Sequence, residues 1–325
     1  MYAPYSFSFS LSLSLSLSGR DSNQLMAGGL PVIDLDDFPR QSQKLMEACK
    51  EWGCFRVINH KIPIDLMKEM RSVAEDLLDL PTEIKQRNGD VIAGSGYMAP
   101  SEINPFYEAL GLYNICSSKA MSDFCAQLDA SPRNCEIMKR YGEAISKLAK
   151  DIACKLAKSM GLPTAVCDDL FEGWPCQFRI NKYNFSLATV GFSGVQMHTD
   201  SSFLTLLLED DNVGGLEIMD KSGEFVSVDP IPGTLLVNLG DVATVWSNGR
   251  FYNVKHRVQC KEGSKRLSIA TFLLAPRNAL VEAPSEFVDT EHPRLFVPFT
   301  YEEFRQLRIS KKLQAGEVLD MLRIK

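Results

Sequence analysis

Apolar positions along this chain follow two textures that change over at Gly161. Before it the spacing is helical. Leu45, Met46, Cys49 and Trp52 recur over 41–52, and Leu66, Met70, Val73 and Leu77 follow Pro63 through 63–78. Ile137, Tyr141, Ile145, Leu148, Ile152, Leu156 and Met160 draw one stripe along 136–160. Recurrence at three and four residues turns one face of each segment toward a core. Short runs at 32–35 and 55–58 read as strands between these helices. After Gly161 the apolar runs become short and β-rich, bounded by glycine, asparagine, aspartate and proline: 177–183, 203–208, 216–219, 225–228, 234–239, 255–259 and 267–274. From Tyr301 onward the pattern is helical again.

Many short strands at this spacing predict a sandwich or barrel, here a jelly roll. The expected fold class is therefore α+β, mainly β, with a double-stranded β-helix core flanked by α-helices. With no repeat and no linker signal, residues 26–325 are expected to form one domain. It comprises a helix-rich part (26–160), a jelly-roll core (161–300) and a C-terminal helical segment (301–325).

The first 25 residues depart from both textures. Residues 7–18 alternate serine with phenylalanine or leucine. Without a basic start or an unbroken apolar stretch, the segment matches neither a secretory signal nor a span of about 20 apolar residues. Alternating Ser-Leu is what a translated CT repeat encodes. Met26 is therefore expected to be the biological start, with 1–25 a disordered low-complexity extension that takes no part in the fold.

Composition narrows the partners. At 325 residues and 45% hydrophobic, the chain can bury a large core unaided. Forty-one acidic residues against 35 basic, with the basic ones scattered, disfavour nucleic acid and leave a small molecule as the expected partner, with no membrane. Nine cysteines, odd in number and without a CxxC pair, suit free structural thiols in a reducing, cytoplasmic setting.

The candidate chemistry lies in the β-rich half. His198 and Asp200 are two apart, so an extended segment would turn both side chains to one face. His256 opens a later strand. Two imidazoles and a carboxylate with open coordination positions make the facial triad of non-haem Fe(II) oxygenases. Ten residues on, Arg266-Leu267-Ser268 aims a guanidinium and a hydroxyl the same way, a pairing that suits a carboxylate. A turn at 261–264 is expected to fold Arg266 back toward the strand carrying His256.

His198-Thr199-Asp200, His256 and Arg266-Leu267-Ser268 together resemble the H-x-D, distal H and R-x-S signature of plant 2-oxoglutarate-dependent dioxygenases related to isopenicillin N synthase. Supporting stretches are LPVIDLDDF at 30–38, EWGCFRVINHKIP at 51–63, Val213 to Leu216, Ile231 to Gly233 and Trp246 to Arg250, so the resemblance spans almost everything from Leu30 on. It implies Fe(II) on His198, Asp200 and His256. It also implies 2-oxoglutarate chelating that ion, its far carboxylate on Arg266 and Ser268, with ascorbate as reductant. No catalytic side chain is expected beyond the metal centre. Where family members have N-x-Y-P, this chain reads Asn181-Lys182-Tyr183-Asn184; the resemblance gives Tyr183, and with it Asn181, to the 2-oxoglutarate pocket. The runs 238–260 and 266–276 are most similar to members that oxidise auxin. That implies an indole carboxylic acid as substrate, indole-3-acetic acid becoming 2-oxindole-3-acetic acid, with a gibberellin, a flavonoid or another specialised metabolite as the alternative. Tyr97, Phe203, Trp246 and Phe272 are expected to line the substrate pocket. His60 and His292 are expected to be structural.

Overall fold

The computed structural model describes residues 26, 27 and 29–325, so the expectations for residues 1–25 fall outside the described residues. In chain order the first half runs β1 Met26–Ala27, β2 Leu30–Asp34, α1 Ser42–Glu51, β3 Cys54–Ile58, α2 Ile64–Leu78, α3 Thr82–Lys85, β4 Tyr107–Leu112, α4 Ser118–Gln127, α5 Pro132–Ser159 and α6 Thr164–Leu170. The second half runs β5 Cys176–Tyr183, β6 Ser193–His198, β7 Leu204–Leu208, β8 Leu216–Met219, β9 Phe225–Val228, β10 Leu235–Leu239, α7 Asp241–Trp246, β11 His256–Gln259, β12 Arg266–Leu273, β13 Leu280–Val281, β14 Phe299–Thr300, α8 Tyr301–Lys311 and α9 Glu317–Met321.

Local chemistry sets the long elements. Ser131 caps α5 by accepting from the Asn134 amide, and Pro132 occupies the first helical position, where no amide donor is needed. The stripe Ile137, Tyr141, Ile145, Leu148, Ile152, Leu156 is buried throughout, and Gly161 ends the run with a left-handed φ of +96°. Thr300 and Glu303 close a reciprocal capping box at the start of α8. Helical residues outnumber strand residues because α5 alone runs 28 residues, whereas the β weight is concentrated after Gly161.

Strands β5 to β12 build the jelly roll. Among the described residues, one sheet has the order β1-β2-β3-β10-β7-β12-β5-β4 and a smaller one has β6-β11-β8-β9, so consecutive core strands divide between two facing antiparallel layers. α5 and α2 pack on the outer face of the large sheet. The outward side chains of β5 and β12, Phe178, Ile180, Ile269 and Leu273, join their stripes in one buried cluster. No helix among the described residues is long and apolar enough to cross a membrane.

Two expectations need correction. The turn after β11 is not a hairpin. β11 lies between β6 and β8 in the small sheet and β12 between β5 and β7 in the large one, so residues 260–265 carry the chain from one layer to the other. Trp246 ends the short, fully buried helix α7. Cys125 and Cys135 are joined in a disulfide between α4 and α5, with Cα atoms 6.1 Å apart, so the expectation of nine free thiols fails at that pair.

Candidate active site

His198 ends β6 and His256 begins β11, and the two are directly opposed across the strand pair, with ring centroids 4.2 Å apart. Asp200 lies just beyond β6. Its Oδ1 is 3.8 Å from His198 Nε2 and 3.7 Å from His256 Nε2. One donor atom from each residue lies within 4.8 Å of the others, and no other such cluster of three exists among the described residues. The backbone fixes the tautomers. Nδ1 of His198 donates to Gln196 O at 2.8 Å and Nδ1 of His256 to Val254 O at 3.3 Å, which leaves both Nε2 lone pairs free. Burial holds the His198 imidazole down at about 4, so it stays neutral at physiological pH.

Asp200 is anchored from the facing sheet. Its Oδ2 accepts from Thr205 Oγ1 at 2.5 Å and Asn238 Nδ2 at 2.8 Å. Burial opposes its ionisation, but His256, His198 and these two hydrogen bonds outweigh burial and hold the carboxyl below its usual range. Its carbonyl receives the Asp241 amide at 2.8 Å, and at Gly240 a Cβ would sit 2.7 Å from that carbonyl, so glycine permits the close approach. Arg308 of α8 donates to Asp241 Oδ2 at 2.5 Å and to the Thr199 carbonyl, bracing the residue between the two candidate ligands.

The other end of the site lies in the large sheet. Arg266 pairs with Tyr183 and Ser268 with Asn181 across β12 and β5. The Arg266 guanidinium lies 5.0 Å from the Tyr183 ring centroid, and the residue is 1% exposed. Its Nε and Nη1 are buried without a hydrogen-bond partner. Asn181 donates to Ser268 Oγ at 3.3 Å and accepts from Tyr107 OH at 2.8 Å. Both ends open into one cavity of about 470 Å³ between the sheets, a size suited to a small ligand.

Of the four residues expected in a substrate pocket, only Phe272 lines that cavity. Phe203 and Trp246 meet edge to face instead in the hydrophobic core, with centroids 5.3 Å apart, beside Phe171. Tyr97 donates its hydroxyl at 2.7 Å to Glu108, which also pairs with the buried Lys85. His60 Nδ1 accepts the Ile62 amide and His292 is exposed beside Asp289, both away from the cavity. Sequence reasoning missed Thr205, Asn238 and Arg308. Asn238 sits in the 238–260 run already singled out, but nothing in the sequence pairs it with Asp200.

Residues 174–275 match the family model described as the 2OG-Fe(II) oxygenase superfamily, and residues 30–104 match the one described as non-haem dioxygenase in morphine synthesis N-terminal. The rice (Oryza sativa) protein named 2-oxoglutarate-dependent dioxygenase DAO is 49% identical over 299 residues, covering 90% of this chain and 98% of that one. The chain belongs to the 2-oxoglutarate- and Fe(II)-dependent dioxygenases. Two solved structures of family members superpose on it. The rice dioxygenase for auxin oxidation has a TM-score of 0.83 at 48% identity, covering 91% of this chain and all of that one. The Arabidopsis thaliana dioxygenase for auxin oxidation 1, in complex with 2-oxoglutarate, has a TM-score of 0.78 at 57% identity, covering 82% and 100%. As a family member the protein is a 2-oxoglutarate-dependent dioxygenase whose cofactors are Fe(II) and 2-oxoglutarate. The residues present fit both groups. Two imidazole nitrogens and a carboxylate oxygen form an open N,N,O donor set for a ferrous ion, and the unpaired nitrogens of Arg266 are an orphaned buried cation that a dicarboxylate would satisfy.

Proposed function

We propose that this protein oxidises indole-3-acetic acid to 2-oxindole-3-acetic acid. His198, Asp200 and His256 hold Fe(II); Arg266, Ser268, Tyr183 and Asn181 hold 2-oxoglutarate. The single observation that carries the chemistry is that the three candidate ligands and the unpaired Arg266 guanidinium face the same cavity. The substrate is supported by the rice and Arabidopsis relatives, whose names specify auxin oxidation and which are matched over nearly their full lengths.

When bound, the iron with 2-oxoglutarate supplies oxygen activation, giving succinate and carbon dioxide alongside the oxidised product. The protein does the rest. Carbonyls at Gln196 and Val254 keep the imidazoles turned toward the ion, and Thr205 and Asn238 keep Asp200 ionised and aimed. Arg266 neutralises the far carboxylate. Tyr183, whose phenol burial pushes above its usual range despite the neighbouring Arg266, remains protonated and able to donate. The apolar lining, with Leu207, Leu216, Ile218 and Val258, excludes water from the reacting centre. The proposal also takes residues 26–325 as one domain and the cytoplasm as the compartment in which the enzyme works.

The test is to incubate the protein with Fe(II), ascorbate, 2-oxoglutarate and indole-3-acetate, following succinate and product mass. Equal amounts of succinate and oxindole-acetate are expected. Succinate that rises only with a gibberellin or a flavonoid would keep the dioxygenase class and discard auxin.

A further inference from the structure

The cavity carries more positive charge than a metal and one dicarboxylate account for. Arg179, Arg266, Arg305, Arg308 and Lys312 line it, against the single carboxylate of Asp200. Arg308 is paired with Asp241 and Arg266 is assigned above to 2-oxoglutarate. Arg179 stands out among the rest. It is 6% exposed, has no acidic partner among the ion pairs of the described residues, and its Nη1 is buried without a hydrogen bond. Its Nη2 donates to the Gly94 carbonyl, and Arg305 from α8 donates to the adjoining Ala93 carbonyl, so two guanidinium groups converge on one stretch of loop at the cavity wall. That loop is pressed onto β4: at Gly111, the strand partner of Arg179, a Cβ would lie 2.1 Å from the Ser95 carbonyl.

Strand register separates Arg179 from the 2-oxoglutarate end. Arg266 pairs with Tyr183, and Arg179 with Ala270 four residues along β12, an offset of roughly 13 Å at about 3.3 Å per residue. Thr205, which bonds Asp200, pairs with Phe272, and Phe272 in turn with Gln177. The metal cluster is therefore level with 177–179 along the strands. A dicarboxylate reaching from the metal to Arg266 would run away from Arg179 and leave its guanidinium beside the position a second molecule must take to meet the metal.

We infer that Arg179, assisted by Arg305, binds the carboxylate of the organic acid substrate and so selects acids over their neutral counterparts. This rests on the reading of the cavity as one for an organic acid. A buried guanidinium without a counter-ion gains most from an anion that offers two acceptor oxygens, and a neutral amide or alcohol leaves it uncompensated. Exclusion of neutral indoles follows from the same unpaired charge.

The experiment is calorimetric titration, without oxygen, of protein loaded with Fe(II) and 2-oxoglutarate, using indole-3-acetate and indole-3-acetamide against the wild type, Arg179→Gln and Arg179→Lys. The wild type is expected to prefer the acid by about 10- to 100-fold. Arg179→Gln is expected to lose that preference through weaker acid binding, with amide and 2-oxoglutarate affinities unchanged; Arg179→Lys should keep part of it. Equal wild-type affinity for acid and amide overturns the inference, and so does a preference undiminished in Arg179→Gln. If that variant does not fold, the wild-type comparison and Arg179→Lys decide. Arg179-dependent binding of gibberellic acid, with none of indole-3-acetate, would remove the auxin reading and leave the anchor standing; failure of every acid tested would remove both.

Discussion

β5 and β12 carry two different proteins on their two faces. Toward the helices they present Phe178, Ile180, Ile269 and Leu273, locked into the main core. Toward the small sheet they present Gln177, Arg179, Asn181 and Tyr183 beside Arg266, Ser268 and Phe272, nearly all polar and nearly all buried. A period of two lets a single strand pair serve stability on one side and chemistry on the other. The outer face packs into the core, with the Thr271 hydroxyl its one orphaned side-chain atom, whereas the inner face holds guanidinium nitrogens that the protein alone leaves unsatisfied.

That contrast is testable by changing one face at a time. The largest effect is expected from His198→Ala, opposite the inner face. With the ion lost, 2-oxoglutarate-dependent turnover should fall at least about a thousandfold, while the unfolding midpoint of the metal-free protein stays near the wild type, since that side chain is 24% exposed. On the outer face, Phe178→Ala should do the reverse. Emptying the space of a fully buried ring 6.1 Å from Tyr141 should cost about 3–5 kcal/mol in denaturant unfolding, with turnover per folded molecule preserved. Arg266→Gln sharpens the comparison further. Loss of a charge-assisted contact worth about 1.5–3 kcal/mol should weaken 2-oxoglutarate binding, read by calorimetry, yet leave the ligand-free protein no less stable, because a buried, partly unpaired guanidinium is removed. The smallest change is expected from Asn238→Ala. Deprived of one of two hydrogen bonds, Asp200 should hold metal about tenfold less tightly, measured by metal competition.

How much of this was legible in the sequence follows the same division. The long helical stripes and the alternating strands were readable because packing repeats at 3.6 or 2 residues, and α5 and β12 lie close to where the pattern puts them. β4 was not, since its run Tyr-Glu-Ala-Leu-Gly-Leu includes glutamate, alanine and glycine, which are depleted in strands. Nor was β6, whose Gln196 and Met197 are exposed and whose run lacks an apolar rhythm. His198, Asp200, His256, Arg266 and Ser268 were legible as a motif and stand around one cavity. The aromatic lining was misjudged at Tyr97, Phe203 and Trp246, which lie in a loop, just before β7 and on α7, because residue type does not reveal which way a ring outside the strands will turn. Arg179, Asn238 and Arg308 depend on pairings between strands and helices distant in sequence, which no local pattern encodes.

The central claim is that the triad and Arg266 act in a single cavity on a metal and a dicarboxylate together. The most direct measurement is the visible charge-transfer absorption of Fe(II) on adding 2-oxoglutarate without oxygen. The band should appear with the wild type, be lost in His198→Ala, and need roughly 10- to 100-fold more 2-oxoglutarate in Arg266→Gln. An identical titration in all three proteins would contradict the account.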